Sequence, residues 1–184
     1  MLIKTVFAGF GGQGVLSMGL NLAQAAMMEG KNVTYLPSYG AEVRGGTANC
    51  TVAISDEEIA SPVASAPEFV VAMNKPSLVR FQNQIQSGGV LLINSTLIDA
   101  ELSRGDIDVV KVPAGEIADE LGSPKSANMV MLGAFIKKSN LVSLNTVIEE
   151  LKNTLKKKEK LIAINEKALM AGYNLVQSEW GVNQ

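Results

Sequence analysis

The 184-residue sequence has no histidine and one cysteine, Cys50. Histidine is the commonest metal ligand and the commonest general base near neutral pH, so its absence weighs against hydrolytic or metal-dependent chemistry carried by this chain alone. A single cysteine excludes an internal disulfide and a four-cysteine zinc or iron–sulfur site. Charge is also scarce. Asp, Glu, Lys and Arg make up 18% of the residues, where an ordinary soluble domain has about 25%. The net charge of −2 gives no reason to expect nucleic acid. No apolar run approaches the ~18 residues of a membrane span. The first ten residues run straight into glycines rather than to a cleavage site, so the expectation is a cytoplasmic protein with no membrane contact.

Apolar residues reach 47% and methionines number eight. Large apolar patches on a soluble chain usually mean a partner, so the composition favours a subunit over a free monomer. The length is that of one domain, 1–184, and neither a repeat nor a low-complexity linker divides it.

The organising stretch is Thr5 to Leu16, a short apolar run that ends in glycines and continues into an apolar, small-residue segment. It reads as strand, tight turn, helix. Gly9, Gly11 and Gly14 fit G-x-G-x-x-G spacing, in which the first glycine permits the turn, the second admits an anion close to backbone, and the third lets helix pack on strand. On this reading the N–H groups from Gly11 to Val15 point outward and form an anion site at a helix N-terminus. The spacing alone leaves open a plain tight β–α connection.

Strands are expected at 3–8, 32–36, 47–54, 68–73, 90–94 and 107–112. The expected helices run from about Val15 to Glu29, from Pro76, over 113–121, around Met129–Ile136, from a Ser143 cap through Leu155, and over 161–175. In the first helix the polar stripe is only Ser17, Asn21 and Gln24, with apolar flanks. Pro37 to Gly46 reads as a polar loop. Ten residues are too few for a parallel crossover, so the third strand is expected antiparallel. Asn74 or Ser77 caps the helix that follows the fourth strand, with Pro76 early in it. Gly133-Ala134 would let another backbone approach. Leu161, Ile164, Ala168 and Leu175 give the buried stripe of the last helix. Lysines 152, 156, 157, 158 and 160 mark either a solvated helix end or a face for an acidic partner. The predicted architecture is α/β: a Rossmann-like mixed, mostly parallel sheet flanked by helices, with a helical C-terminal third.

A Rossmann domain that binds NAD needs an acid at the tip of its second strand, about 20 residues beyond the glycines. Leu36-Pro37-Ser38 has none, and Glu42 comes later, inside the loop. A free-standing nicotinamide enzyme is therefore disfavoured.

Gly9-Phe10-Gly11-Gly12-Gln13-Gly14, then Tyr39 to Cys50 with its Glu-Val-Arg-Gly-Gly, then Ile59-Ala60-Ser61-Pro62 and Met73 to Leu78 come in an ordered series. With Asn128 to Gly133 and Asn165 to Tyr173, the sequence resembles the gamma subunit of 2-oxoacid:ferredoxin oxidoreductases along nearly its whole length. Pro37-Ser38-Tyr39-Gly40 and Gly45 to Cys50 look most like the 2-oxoglutarate branch, with the pyruvate and ketoisovalerate types as alternatives. The resemblance implies a complex that oxidatively decarboxylates a 2-oxoacid, reduces ferredoxin and forms an acyl-coenzyme A. Its alpha and beta chains, with a delta chain in some assemblies, would hold thiamine diphosphate, magnesium and the iron–sulfur clusters. This chain would bind no cofactor by itself, would border coenzyme A at its edge, and would be inactive when isolated, where a homodimer is one expectation. No acidic Gly-Asp-Gly segment for magnesium diphosphate is present, in keeping with that division. No catalytic residue and no metal ligand is assigned to this chain.

The candidate cofactor-binding residues are Gly9, Gly11, Gly12, Gln13 and Gly14 on the turn, and Ser38, Tyr39, Arg44, Gly45 and Gly46 on the loop. Arg44 is suited to a phosphate or a substrate carboxylate because guanidinium forms bidentate contacts with both. An ion pair with Glu42, or a place in a subunit interface, stays open. So does a purely structural subunit with an empty pocket.

Overall fold

The computed structural model describes residues 1–39 (of Tyr39, the backbone), 46–100, 102, 104–156, 158–177 and 180. Its centre is β1 (Leu2–Phe10), hydrogen-bonded on one side to β3 (Thr47–Ser55), antiparallel, and on the other to β4 (Phe69–Ala72), parallel. β2 (Asn32–Tyr39) lies outside β3, antiparallel to it, and β5 (Val90–Asn94) and β6 (Asp108–Val112) continue the parallel side. The order is β2-β3-β1-β4-β5-β6, a mixed, mostly parallel six-stranded sheet. The short β2–β3 connection forces the antiparallel pairing expected from its length.

Period-two alternation sends the strands' side chains into two cores. Phe7, Cys50, Val52, Phe69, Val71 and Leu92 face α1 (Val15–Met28) and α4 (Ala127–Ser139), packing with Met18, Leu22 and Phe135. Phe135 meets Phe7 and Phe69 edge-on, at ring-centroid distances of 5.3 and 5.4 Å. On the opposite face Val6, Ala8, Val70, Ala72, Leu91 and Ile93 pack under Leu78 and Phe81 of α2 (Lys75–Phe81). Asn74 caps α2 as expected, its Oδ1 accepting the Ser77 N–H at 3.0 Å.

After β6 the chain is helical: α3 (Ala114–Glu120), α4, α5 (Leu144–Leu155) and α6 (Glu159–Leu175). Ser143 caps α5 through the Thr146 N–H at 3.1 Å. α4 and α6 pack backbone on backbone. A Cβ on Gly133 would strike the Leu169 carbonyl, and one on Gly172 would strike the Val130 carbonyl. The close approach expected at Gly133-Ala134 therefore exists, and Gly172 is its counterpart.

Two expectations are corrected. β2 does not end at Leu36 but runs through Pro37, Ser38 and Tyr39, pairing them with Cys50, Asn49 and Ala48. An edge strand tolerates proline because one side of its ladder is unpaired. Within the polar stripe of α1, Asn21 is only 7% exposed and turns to Met129 of α4, while Met27 is 63% exposed. The buried stripe of α6 is Ala168, Leu169 and Gly172, with Leu161 and Leu175 exposed. Lys152, Lys156, Lys158 and Lys160 are exposed, which suits both a solvated helix end and a face for an acidic partner, while Lys157 lies outside the described residues.

Candidate functional site

β1 leaves the sheet at Phe10, and Gly12 and Gly14 take the chain round the turn with φ of 97° and 73°. These two carry the turn, because L side chains rarely adopt such backbone. Gly9, assigned the turn by its spacing, is instead still in β1. A Cβ there would lie 2.7 Å from Gln13 Oε1 and 2.8 Å from Val15 Cγ1, so this glycine makes room for the turn to fold back. Gly14 meets Asn128 of α4, whose Nδ2 donates to the Gly14 carbonyl at 3.4 Å. Helix-on-strand contact falls instead on Gly19, where a Cβ would strike Cys50 Sγ.

Gln13 acts as a clasp. Its Oε1 accepts from Phe10 N–H at 2.7 Å and from Asn74 Nδ2 at 2.9 Å, tying the glycine turn to the end of β4. Asn74 serves both this bond and its helix cap. Sixty-one residues separate the pair, and nothing local in sequence announces the bond. Asn128 is a second addition; the Asn128 to Gly133 block marked its region but not its partner.

Two of the five N–H groups expected to point outward are used internally. Gly11 N–H donates to the Gly46 carbonyl at 2.9 Å and Gln13 N–H to the Phe10 carbonyl at 3.1 Å. The N–H groups of Gly12, Gly14, Val15, Leu16 and Ser17 have no partner among the described residues. α1 has Gly14 as its N-cap, no side-chain cap and no acid in its first turn. This uncapped, positively polarised end opens into a cavity of ≈ 440 Å³ walled by Phe10, Gly11, Gly12, Gly46, Thr47 and the first turn of α1. The geometry favours an anion. Ser17, assigned in sequence only to a polar stripe, is an exposed wall of this cavity. A second cavity of ≈ 390 Å³, beyond the Gln13 clasp at the ends of β4 and β5, is lined by Asn94, Thr96, Lys125 and Asn128 among others.

The structure thus brings Gly11, Gly12, Gly14 and Gly46 to one cavity, with Gly9 and Gln13 behind it. Ser38 is exposed on β2, out of phase with Val33 and Tyr35, which pack toward α1; it therefore faces away from α1. The backbone of Tyr39 pairs with Ala48. Arg44, Gly45 and Glu42 lie outside the described residues. β2 ends at Ser38-Tyr39, neither of them acidic.

Cys50 is buried behind Gly19, its Sγ 3.4 Å from the Val15 carbonyl, and burial pushes the thiol up to about 12. That is a structural cysteine, not a nucleophile. Among the described residues no group of three His, Cys, Asp or Glu side chains could hold a metal ion. No helix there is long and apolar enough to cross a membrane.

The family model for pyruvate ferredoxin/flavodoxin oxidoreductase matches residues 4–175. The chain is 44% identical over 180 residues to ketoisovalerate oxidoreductase subunit VorA of Methanothermobacter thermautotrophicus, covering 97% of this chain but only 36% of that protein. It is 36% identical over 155 residues to 2-oxoglutarate synthase subunit KorC of Methanothermobacter marburgensis, covering 80% of this chain and 83% of that one. The chain thus spans about a third of the VorA relatives it matches. Among solved structures, the gamma subunit of a keto/oxoacid ferredoxin oxidoreductase from Geobacter sulfurreducens superposes with a TM-score of 0.79 at 27% identity, covering 94% of this chain and 96% of that one. The 2-oxoglutarate:ferredoxin oxidoreductase of Magnetococcus marinus, solved with 2-oxoglutarate, coenzyme A and succinyl-CoA bound, gives a TM-score of 0.87 at 27% identity, over 96% of this chain and 32% of that one. With the sheet order, the glycine turn and these matches in agreement, this chain belongs to the pyruvate ferredoxin/flavodoxin oxidoreductase family, among its gamma-type chains.

Proposed function

We propose that this chain works as the gamma subunit of a complex that oxidises a 2-oxoacid, releasing carbon dioxide, passing two electrons to ferredoxin and transferring the acyl group to coenzyme A. Its own part is to border the coenzyme A site and to hold the assembly together. The observation that carries this reading is the cavity at the N-terminus of α1, walled by the glycine turn, Phe10, Thr47 and the first turn of α1, with N–H groups that have no partner among the described residues and no acid in the first turn. A diphosphate fits such a site, and an NAD ribose lacks its usual acid. Coenzyme A carries the diphosphate, and the similar M. marinus enzyme has it bound. Gly11, Gly12, Gly14 and Gly46 would then approach its phosphates through backbone, Gly9 and Gln13 would shape the turn, and Arg44 with Gly45 would supply the charged side of the site. Tyr39 would flank it from the end of β2, whereas Ser38, facing away from α1, would lie on the other side of the sheet. Thiamine diphosphate, magnesium and the iron–sulfur clusters belong in this reading to alpha, beta and delta chains.

Identity to VorA at 44%, against 36% to KorC, favours a branched-chain 2-oxoacid. The Pro37 to Gly40 and Gly45 to Cys50 blocks favour 2-oxoglutarate, and KorC is also a chain of similar length to this one, 83% of it being covered. Co-purification from the native source, followed by viologen reduction with 2-oxoglutarate, 2-oxoisovalerate and pyruvate, tests the reading. It holds if the chain arrives with thiamine- and cluster-bearing partners and one 2-oxoacid reduces the dye in a coenzyme A-dependent reaction. It fails if the isolated chain turns over a 2-oxoacid unaided, or if it purifies without such partners.

A further inference from the structure

The second cavity, of ≈ 390 Å³, lies outside the carboxyl ends of β1, β4 and β5. This is a switch point of the sheet, because the chain leaves β1 through α1 on one face and leaves β4 through α2 on the other. Open α/β sheets bind ligands in such crevices. Gly12 walls both this cavity and the one at the N-terminus of α1, and a Cβ there would meet nothing within 4 Å, so the ridge between the two is bare backbone. Lys125, exposed on the turn Pro124–Ser126, is the only cationic side chain among the described residues that line either cavity. With Ser17 it also borders a further cavity of ≈ 320 Å³ along α1. Asp119, exposed on α3, faces the second cavity too, and neither it nor Lys125 has an ion-pair partner among the described residues. The Thr96 hydroxyl oxygen accepts the Gly115 and Glu116 N–H groups at 3.0 and 3.2 Å, which leaves its own proton free to donate. Leu97, 57% exposed, and Pro124 give the cavity apolar walls.

We propose that this cavity takes the adenosine end of coenzyme A and that the Lys125 ammonium meets the 3′-phosphate. The diphosphate stays at the end of α1, and the ligand crosses the Gly12 backbone, where no side chain stands in its way. A lone lysine beside a carboxylate suits a ligand that carries hydroxyl donors as well as one more phosphate. Asp119 accepts the ribose 2′-hydroxyl, the Thr96 hydroxyl donates to a ring nitrogen, and Leu97 with Pro124 covers the purine. A free polyphosphate would instead set its whole charge against Asp119. Lysine serves here as a point-charge phosphate contact, able to swing to a group beyond reach of the helix end. The assignment rests on the coenzyme A reading and adds to it a residue that tells coenzyme A from its 3′-dephospho form.

The test compares coenzyme A with 3′-dephospho-coenzyme A in the assembled complex at saturating 2-oxoacid, using wild type, Lys125→Ala, Lys125→Arg and Asp119→Ala. In the wild type, KM for coenzyme A should be lower by about tenfold or more, the gain of one charge-assisted contact. Lys125→Ala should raise the coenzyme A constant to the level of the dephospho form and leave the latter where it was, while Lys125→Arg, which keeps the charge, should retain most of the difference. Asp119→Ala should raise both constants by a similar factor, because the adenosine is common to both. If Lys125→Ala does not assemble, Lys125→Gln carries the same comparison. Discrimination in the alanine variant equal to that of the wild type overturns the inference, and so does a wild type that does not discriminate. An equal rise in both constants in Lys125→Ala overturns it as well, since the lysine would then not be reading the phosphate. If Ser17→Asp at the end of α1 raises both constants while Lys125→Ala moves neither, this inference alone falls. A wild-type complex that forms no acyl-coenzyme A would overturn the functional reading, and this inference with it.

Discussion

Replacing Gly12 and Gly14 separately by alanine sets two kinds of glycine requirement against each other on one turn. A Cβ on Gly12 would meet nothing within 4 Å, so Gly12→Ala carries only the cost of a residue at φ 97°, about 1–3 kcal/mol. Gly14→Ala faces φ 73° and also a collision with the Asn128 side chain. Its backbone term is about 1–2 kcal/mol, overpacking adds about 1–3, and a weakened Asn128 to Gly14 hydrogen bond adds about 0.5, for a total of about 2.5–5.5 kcal/mol. Urea unfolding of the isolated chain reads the difference as a midpoint about 1–2 M lower for Gly14→Ala. The double variant Gly14→Ala/Asn128→Ala removes the collision and should recover about 1–3 kcal/mol relative to the sum of the single changes. Additivity of the two changes, or a Gly14→Ala cost no larger than that of Gly12→Ala, would refute the assignment of Gly14 to a packed contact with α4.

Three further outcomes follow from other parts of the fold. Gly172→Ala should cost about 3 kcal/mol or more, because its Cβ would press on the Val130 carbonyl, backbone that cannot rotate away; a neutral result in thermal unfolding would mean that α4 and α6 are not in backbone contact. With its thiol near 12, Cys50 is thiolate in about one molecule in 10⁴ at pH 8, so a thiol-reactive disulfide dye should react only on unfolding; prompt stoichiometric reaction of the folded chain would contradict its burial. The Arg104 guanidinium, 2.8 and 2.6 Å from the two carboxylate oxygens, holds Asp106 at about 2, below its unfolded value near 3.8. The stability it contributes is present above about pH 4 and is lost as pH falls toward 2. Asp106→Asn should flatten that acid limb in pH-dependent unfolding, and an unchanged limb would count against the pair.

Much of the fold was legible because length and periodicity carry it. The brief β2–β3 connection dictated antiparallel pairing, Asn74 and Ser143 marked helix starts, and Gly133-Ala134 marked a close backbone contact. The site was legible in place but not in detail. G-x-G-x-x-G spacing located the turn, yet the roles of its glycines depend on side chains from β4 and α4. Gln13 meets Asn74, and Gly14 meets Asn128, across 61 and 114 residues. β2 outran its expected end because proline signals a break in a central strand but not in an edge strand. Helical period named Asn21 as part of a polar stripe on α1 but alone cannot say that Met129 of α4 covers it. The exposed methionines of α1 have no local signature either.

In the proposed function the uncapped end of α1 holds the phosphates of coenzyme A, and Ser17→Asp in the assembled complex tests this most directly. An acid in the first turn of a helix stabilises it by about 0.3–1 kcal/mol, so folding should be kept or improved. The same carboxylate, on the wall of the cavity, would repel a diphosphate by about 2–4 kcal/mol before ionic screening, at an effective dielectric near 20 and separations of about 4–8 Å. The expected result is a KM for coenzyme A raised at least about tenfold, with 2-oxoacid-dependent cofactor reduction in the absence of coenzyme A unchanged. Arg44→Ala should move the same constant in the same direction. An unchanged KM in an assembled Ser17→Asp complex would contradict the claim and leave the glycine turn as a packing device in a structural subunit.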